Sequence, residues 1–397
     1  MNLAKYFLIL SVFLLTSTTS QAFHQSATNF LALDPEELRI ETAQQAIPQQ
    51  VKHFSHSLNQ FKHDLSQIIA MKDAMTVVTT TGLNLWQLAV KQAQETLSYD
   101  DRPLYWARLV GRVTIKNIPL TFTPTLSQRD QLLSAWEDAS RGITSIDYAG
   151  DPSLKRIFLS GFDPFLLDRN IDQSNPSGVA ALMLDGKIIN YQGQKVQIET
   201  VMIPVRFDDF DQGLIERILT PLMAADRKID LIATISMGRK DFDLERFPGK
   251  RRSATIPGNR NVITGASASN PLVPFLNGAS HDGAEFVEFS LPVKLMQQAV
   301  GAFKINDNHQ VSTLAKGSIK AISLNELTNQ VSVQGSGGSY LSNEISYRSI
   351  ALRDKLASQI AVGHIHTPRI KSFEPKTIQL TVEQITEMLK HASTSFK

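Results

Sequence analysis

The sequence predicts an α/β fold: a three-layer sandwich with a mostly parallel twisted sheet covered by helices on both faces, preceded by a mainly helical N-terminal region. Three observations predict it. Short β-rich runs at 156–160, 196–205, 230–235 and 360–365 alternate with amphipathic segments, which is the pattern of strand–helix–strand units. Several of these runs are mostly apolar, as strands buried on both faces are. Upstream, from about residue 23 to 148, apolar residues recur at helical spacing instead.

The 397 residues are 42% hydrophobic and 20% charged, enough apolar material for a large core. A net charge of +2 implies no nucleic-acid or polyanion partner. The chain has no cysteine, which excludes disulfides, thiolate metal sites and a cysteine nucleophile.

Met1 to Ala22 reads as a secretory signal. Lys5 supplies the positive start, Tyr6 to Leu15 a short apolar run, and Ser20-Gln21-Ala22 a small-residue cleavage site. The rival reading is an uncleaved anchor. No other stretch is apolar and long enough to span a bilayer. The expectation is export to the periplasm with no integral membrane segment after signal removal. The expected division is 1–22 signal, 23–150 helical region, 154–370 α/β domain and 371–397 helical tail.

In the helical region, Phe54, Leu58, Phe61, Leu65 and Ile68 make one apolar face of a helix expected over 49–71. His53, His56 and His63 fall on its other side. Their spacing suits a solvated polar face better than a zinc site, because no carboxylate shares an i,i+4 position with both His56 and His63. Helices are also expected over 83–97, 104–110 and 131–140, each with one tryptophan (Trp86, Trp106, Trp136) for a helical core. Tyr148-Ala149-Gly150-Asp151-Pro152 is a linker.

The first strand, 156–160, leads into Gly161. Asn175 caps a helix over 176–184 with Pro176 in its first turn. A strand over 196–205, a helix over 209–223 and a strand over 230–235 follow. Residues 249–283 are loop-rich, and 292–300 helical. Val331 to Val333 reads as a third core strand, 344–356 as a helix, and 360–365 as a fourth strand. The tail helix is expected over 382–391, with Thr381 and Gln384 as a capping box.

The chemistry is expected where strands end. After Val333 comes Gly335-Ser336-Gly337-Gly338-Ser339-Tyr340-Leu341-Ser342-Asn343, a glycine-rich turn running into a helix. Ser342 then sits at a helix N-terminus, either as an N-cap or as a nucleophile whose developing charge the helix end favours. The strand over 230–235 leads to Gly238-Arg239 and Glu245-Arg246, and the last strand to His364 and His366.

These segments, in this order, resemble the pyroglutamyl peptidase I family of cysteine peptidases. Gly161-Phe162-Asp163-Pro164-Phe165 and Asn175-Pro176-Ser177 match its first motifs. Gly238-Arg239, Glu245-Arg246 and Leu291-Pro292-Val293 match the next. Gly338-Ser339-Tyr340-Leu341-Ser342-Asn343 stands at its nucleophile segment, and Gly363-His364-Ile365-His366-Thr367-Pro368 at its histidine segment. The resemblance implies a triad in which Ser342 replaces the catalytic cysteine, His366 is the base and Glu245 orients it. It places Phe162, Phe165, Asn175 and Tyr340 around a pyroglutamyl pocket. It implies no cofactor and no metal.

Three departures bear on activity. Serine replaces the thiol, and a hydroxyl stays protonated until a base assists it. Lys250 and Thr255 stand where the family keeps an asparagine and an arginine, a role left to Arg251 or Arg252. Ile235 replaces a glutamine before Ser236-Met237. The region before residue 151 has no counterpart in the minimal family. Two functions follow: hydrolysis of an N-terminal pyroglutamyl or related residue from a peptide with a blocked N-terminus, or an inactive homologue serving as an exported peptide-binding module. The sequence leaves self-association open.

Overall fold

The computed structural model describes residues 30–148, 150–224 and 228–396. The expected signal segment lies outside the described residues. Helices α1 (Pro35–Ala46), α2 (Pro48–Lys52), α3 (Ser55–Ser66), α4 (Met71–Thr96), α5 (Arg102–Asn117) and α6 (Leu126–Ser140) form the N-terminal region. The α/β part then runs β1 (Lys155–Phe162), α7 (Pro176–Leu184), β2 (Ile188–Tyr191), β3 (Gln194–Ile203), α8 (Phe207–Asp211), α9 (Leu214–Leu222), β4 (Leu231–Met237) and β5 (Phe242–Glu245). It continues through β6 (Phe275–Leu276), β7 (Ala279–Ser280), α10 (Val293–Met296), β8 (Ile305–Asn308), β9 (Gln310–Thr313), β10 (Gly317–Lys320), β11 (Ser332–Gln334), α11 (Leu341–Lys355), β12 (Ala361–Thr367) and α12 (Pro375–Ser393).

The main sheet has seven strands in the order β2-β3-β1-β4-β12-β5-β8. β3, β1, β4 and β12 run parallel, β5 and β8 are parallel to each other, and the β2–β3 and β12–β5 pairs are antiparallel. Helices α7 and α12 pack together on one side, α9 and α11 on the other. The central strands are buried on both faces, which explains why their sequence reads as mostly apolar runs without strict alternation.

Several expectations need correction. The helix expected over 49–71 is two helices, with a break at His53–Phe54 and an end at Ser66. The apolar face survives the break: Phe54, Leu58, Phe61 and Leu65 are buried. His56 and His63 are exposed, and His53 Nε2 sits 2.6 Å from Gln92 Oε1. The helix expected over 209–223 is broken by Gly213 in the left-handed region, at φ 75°. The expected helix over 292–300 is a single turn. Val331–Val333 is not a core strand: β11 pairs with β9 in a separate three-stranded sheet. The tail helix begins at Pro375, so Thr381 and Gln384 cap nothing. Thr381 Oγ1 donates to Thr377 O within the helix, and Gln384 bridges to Phe303.

Trp86, Trp106 and Trp136 are fully buried, as expected. The helical region shares one apolar core with the sheet: Phe61, Trp86 and Trp136 belong to the same cluster as Ile157, Val201 and Leu231. The contact is also ionic. Asp163, fully buried at the end of β1, pairs with Arg108 of α5 and with Arg141 at 2.7 Å. Arg206 reaches back to Glu36 of α1 at 2.6 Å and Glu137 of α6 at 3.2 Å. Such pairs lie flush with apolar packing because each charge meets its opposite in the dry interior.

Candidate active site

The site assembles from four strand and helix ends. β1 delivers Phe162 and the Asp163-Pro164-Phe165 loop. Gly161 makes this possible, because a Cβ there would come within 2.1 Å of Ser177 O. Asn175 caps α7: its Oδ1 accepts from the Ser177 N–H at 3.1 Å, and its Nδ2 donates to Asp163 O at 3.0 Å. These bonds tie the loop to the helix start.

Helix α11 begins at Leu341 with Tyr340 as its N-cap residue, so Ser342 is the second residue of the helix and not the cap. Its N–H belongs to the first turn, where backbone donors have no partner within the helix. Ser342 Oγ donates to Gly337 O at 3.2 Å. Phe162, Phe165, Asn175, Val205, Ser236, Met237, Tyr340, Leu341 and Ser342 line one narrow cleft. Five of the seven residues singled out by sequence therefore meet here.

The other two form a pair beside it. His366 on β12 and Glu245 at the end of β5 are both buried, with Nδ1 and Oε1 2.5 Å apart. The antiparallel β5–β12 pairing brings them together across the sheet. Burial pushes the Glu245 carboxyl up, and the His366 imidazole draws it back. Asn308 of β8 donates to the second oxygen, Oε2, at 2.8 Å. The Arg239 guanidinium stands 3.9 Å from Oε1. Gly238 lets the chain pass over the imidazole, since a Cβ there would lie 2.5 Å from His366 Cβ. Among the described residues, His366 Nε2 has no hydrogen bond and Ser342 Oγ makes none to it. The structure joins the histidine to the carboxylate and leaves the serine turned to its own loop.

Neither arginine proposed as a replacement enters the cleft. Arg251 binds Glu285 at 2.8 Å, and Arg252 binds Glu344 at 2.6 Å and Asp211 at 2.8 Å. Arg252 fastens the first turn of α11 to α8 instead. Sequence reasoning also missed Asn308 and Asp101. Asn308 lies on a short polar strand that carries no apolar signal. Asp101 precedes α5 in the helical region, yet accepts from Ser174 Oγ at 2.6 Å and the Asn175 N–H at 3.1 Å.

Burial pushes the Asp101 carboxyl up to about 8, against the pull of the Ser174 and Asn175 donors and Arg102. Unfolded, the group ionises near the usual aspartate value of about 3.9. Between these values the unfolded chain has released the proton and the folded chain keeps it. Stability from this group therefore falls as pH rises from about 4 to 8 and levels off above. Asp101→Asn is expected to flatten that part of the profile in urea unfolding at pH 5 and pH 8. An unchanged slope would mean that Asp101 is ionised throughout.

The profile of the PA0049 C-terminal domain matches residues 156–288 and 302–371, just over half of the chain. The chain belongs to the PA0049 family. The PA0049 N-terminal domain matches residues 17–137, so both parts of the family's architecture are present. The uncharacterized protein PA0049 of Pseudomonas aeruginosa is 28% identical over 390 residues, covering 76% of this chain and 70% of that one. Among solved structures, a mutant pyrrolidone carboxyl peptidase from Pyrococcus furiosus aligns over 60% of this chain and 99% of its own. The identity is 18% and the TM-score 0.41. A second structure of that enzyme, described with its cysteine-free mutant, gives 19% identity, 60% and 98% coverage, and a TM-score of 0.41. At those values the likeness carries nothing about the site of this PA0049 family member.

Proposed function

We propose that this protein is an exported hydrolase that removes an N-terminal pyroglutamyl, or closely related, residue from peptides through Ser342, His366 and Glu245. The observation that carries the reading is the buried His366–Glu245 pair, 2.5 Å apart, beside a cleft lined by Phe162, Phe165, Tyr340 and Ser342. A carboxylate on Nδ1 fixes the tautomer that leaves Nε2 as the acceptor a nucleophile needs. Ser342 attacks the acyl carbonyl, and His366 takes its proton and returns it to the leaving amine; a water then attacks the acyl–Ser342 ester, giving a proton to His366, which passes it back to Ser342 as the acid leaves. Glu245 holds the imidazole and balances its charge, with Asn308 holding Glu245. First-turn N–H groups of α11 and the 161–165 loop stabilise the oxyanion. In the free protein Ser342 Oγ donates to Gly337 O, a bond that must break before the hydroxyl serves His366; catalytic bonds often close only in the complex. Aromatic walls suit a flat lactam ring.

A second reading, an inactive homologue that binds peptides, is favoured by one observation: Ser342 Oγ is engaged with Gly337 O. Purified mature protein is expected to release fluorophore from a fluorogenic pyroglutamyl amide, and Ser342 to be labelled by a fluorophosphonate. No turnover together with no labelling would leave the binding module.

A further inference from the structure

Three walls of the cleft rest on one turn, and that turn is fastened to the helical region. Residues 257–262 close on themselves: the Asn261 N–H donates to Gly258 O at 2.9 Å and the Gly258 N–H to Val262 O at 3.1 Å. Tyr340 donates its phenol to Pro257 O at 2.8 Å. The Asn259 N–H donates to Val205 O at 2.7 Å, and its Nδ2 to Pro164 O at 2.9 Å. Tyr340 and Val205 line the cleft, and Pro164 immediately precedes Phe165, which lines it too.

Asn259 is only 3% exposed, and α1 holds it. Its Nδ2 gives the second hydrogen to Glu36 Oε1 at 3.2 Å, and its backbone carbonyl accepts from Arg39 Nη1. The orientation of the amide follows from these partners. A backbone carbonyl only accepts, and so does an ionised carboxylate. Burial pushes the Glu36 carboxyl up, but Arg206 and Arg112 bring it down to about 2, so it stays ionised.

Arg39 carries the fastening further. Its Nε and Nη2 grip Asp168 at 2.6 and 2.7 Å, and Nη2 also donates to Asn261 Oδ1 at 2.8 Å. It thus joins the turn to the chain just beyond Phe165. Leu167, between them, packs in one apolar cluster with Ala43 of α1. Asn259 bonds at once to the chain at Phe165 and to the chain at Val205, so it fixes how far apart these two walls stand.

We infer that Asn259 is a positioning residue that sets the width of the cleft, and that α1 acts through it to decide which acyl ring is admitted. This rests on the pyroglutamyl reading and adds a specificity element to it. Without the Nδ2 bonds, Pro164 and Phe165 are free to move away from Val205, and a wider cleft tolerates a larger ring. In a fitted apolar pocket one methylene is worth about 10- to 200-fold in kcat/KM.

The test compares kcat/KM for fluorogenic amides of the five-membered lactam acid and of its six-membered homologue, using purified mature protein. The native protein is expected to favour the five-membered ring by at least about tenfold. Asn259→Ala is expected to bring the ratio below about threefold. Arg39→Gln leaves Asn259 in place and should lower the ratio less. Loss of stability alone does not move this readout, because both amides meet the same folded fraction; circular dichroism checks folding, and if Asn259→Ala does not fold, Arg39→Gln decides. A ratio unchanged in both variants, or no ring preference in the native protein, would overturn the role of Asn259 and leave the pyroglutamyl reading standing. A ratio lowered by Asn259→Ala but not by Arg39→Gln would overturn the part given to α1. No turnover of either amide by the native protein would overturn both the inference and the reading beneath it.

Discussion

Ser342→Ala is expected to lower kcat for a fluorogenic pyroglutamyl amide by about 10³-fold or more, and His366→Ala to do the same. The two losses should not add, because nucleophile and base act as one unit. Alanine is a good helix former, so removing one hydroxyl in the first turn of α11 should leave the fold intact. Glu245→Gln is the more telling variant. It keeps the shape and the bond from Asn308, but an amide can present its N–H to His366 and favour the wrong tautomer. A fall of about 10³–10⁴ in kcat with little change in KM is expected. Equal turnover by the native protein and Ser342→Ala would sink the assigned role of Ser342. Equal turnover by Glu245→Gln would show that the 2.5 Å contact is structural only.

Asp163→Ala is expected to destabilise the protein by about 3–5 kcal/mol, because it strips the buried Arg108 guanidinium of its carboxylate and leaves the buried Arg141 with Glu137 alone. Arg108 and Arg141 are each almost wholly inaccessible, and neither can reach water when the carboxylate goes. The effect is expected to extend to the cleft. Asp163 lies between Phe162 and Phe165, and its carbonyl accepts from Asn175. Urea unfolding measures the stability loss. A change below about 1 kcal/mol would place this cluster with weak surface pairs.

The parts of the fold legible in the sequence are those whose side chains announce their own burial. β1 and β4 are mostly apolar runs with no solvent face, and α7 carries both Asn175 and Pro176 at its start, so its bounds could be read directly. The lateral strands were not legible. β8 is Ile-Asn-Asp-Asn, and its strand state comes from pairing with β5 rather than from propensity. Val331–Val333 looked like core because β-branched residues say strand without saying which sheet. In the site, the motif-borne residues Phe162, Phe165, Asn175, Tyr340 and Ser342 do converge. Asp101 and Asn308 act at a distance of dozens of residues from what they hold, with no local pattern to mark them. The buried arginines were equally hidden, since charge reads as surface until its partner is known.

Asn308 sits on β8, the outermost strand of the main sheet, and holds the far oxygen of Glu245. Edge strands exchange their amide hydrogens early, because one flank has no neighbour to keep it closed. The carboxylate that orders His366 is therefore fastened to one of the first elements that local opening would release. Mild denaturant should loosen this corner well before the central strands give way, so catalytic competence and global folding would part company along the denaturation curve.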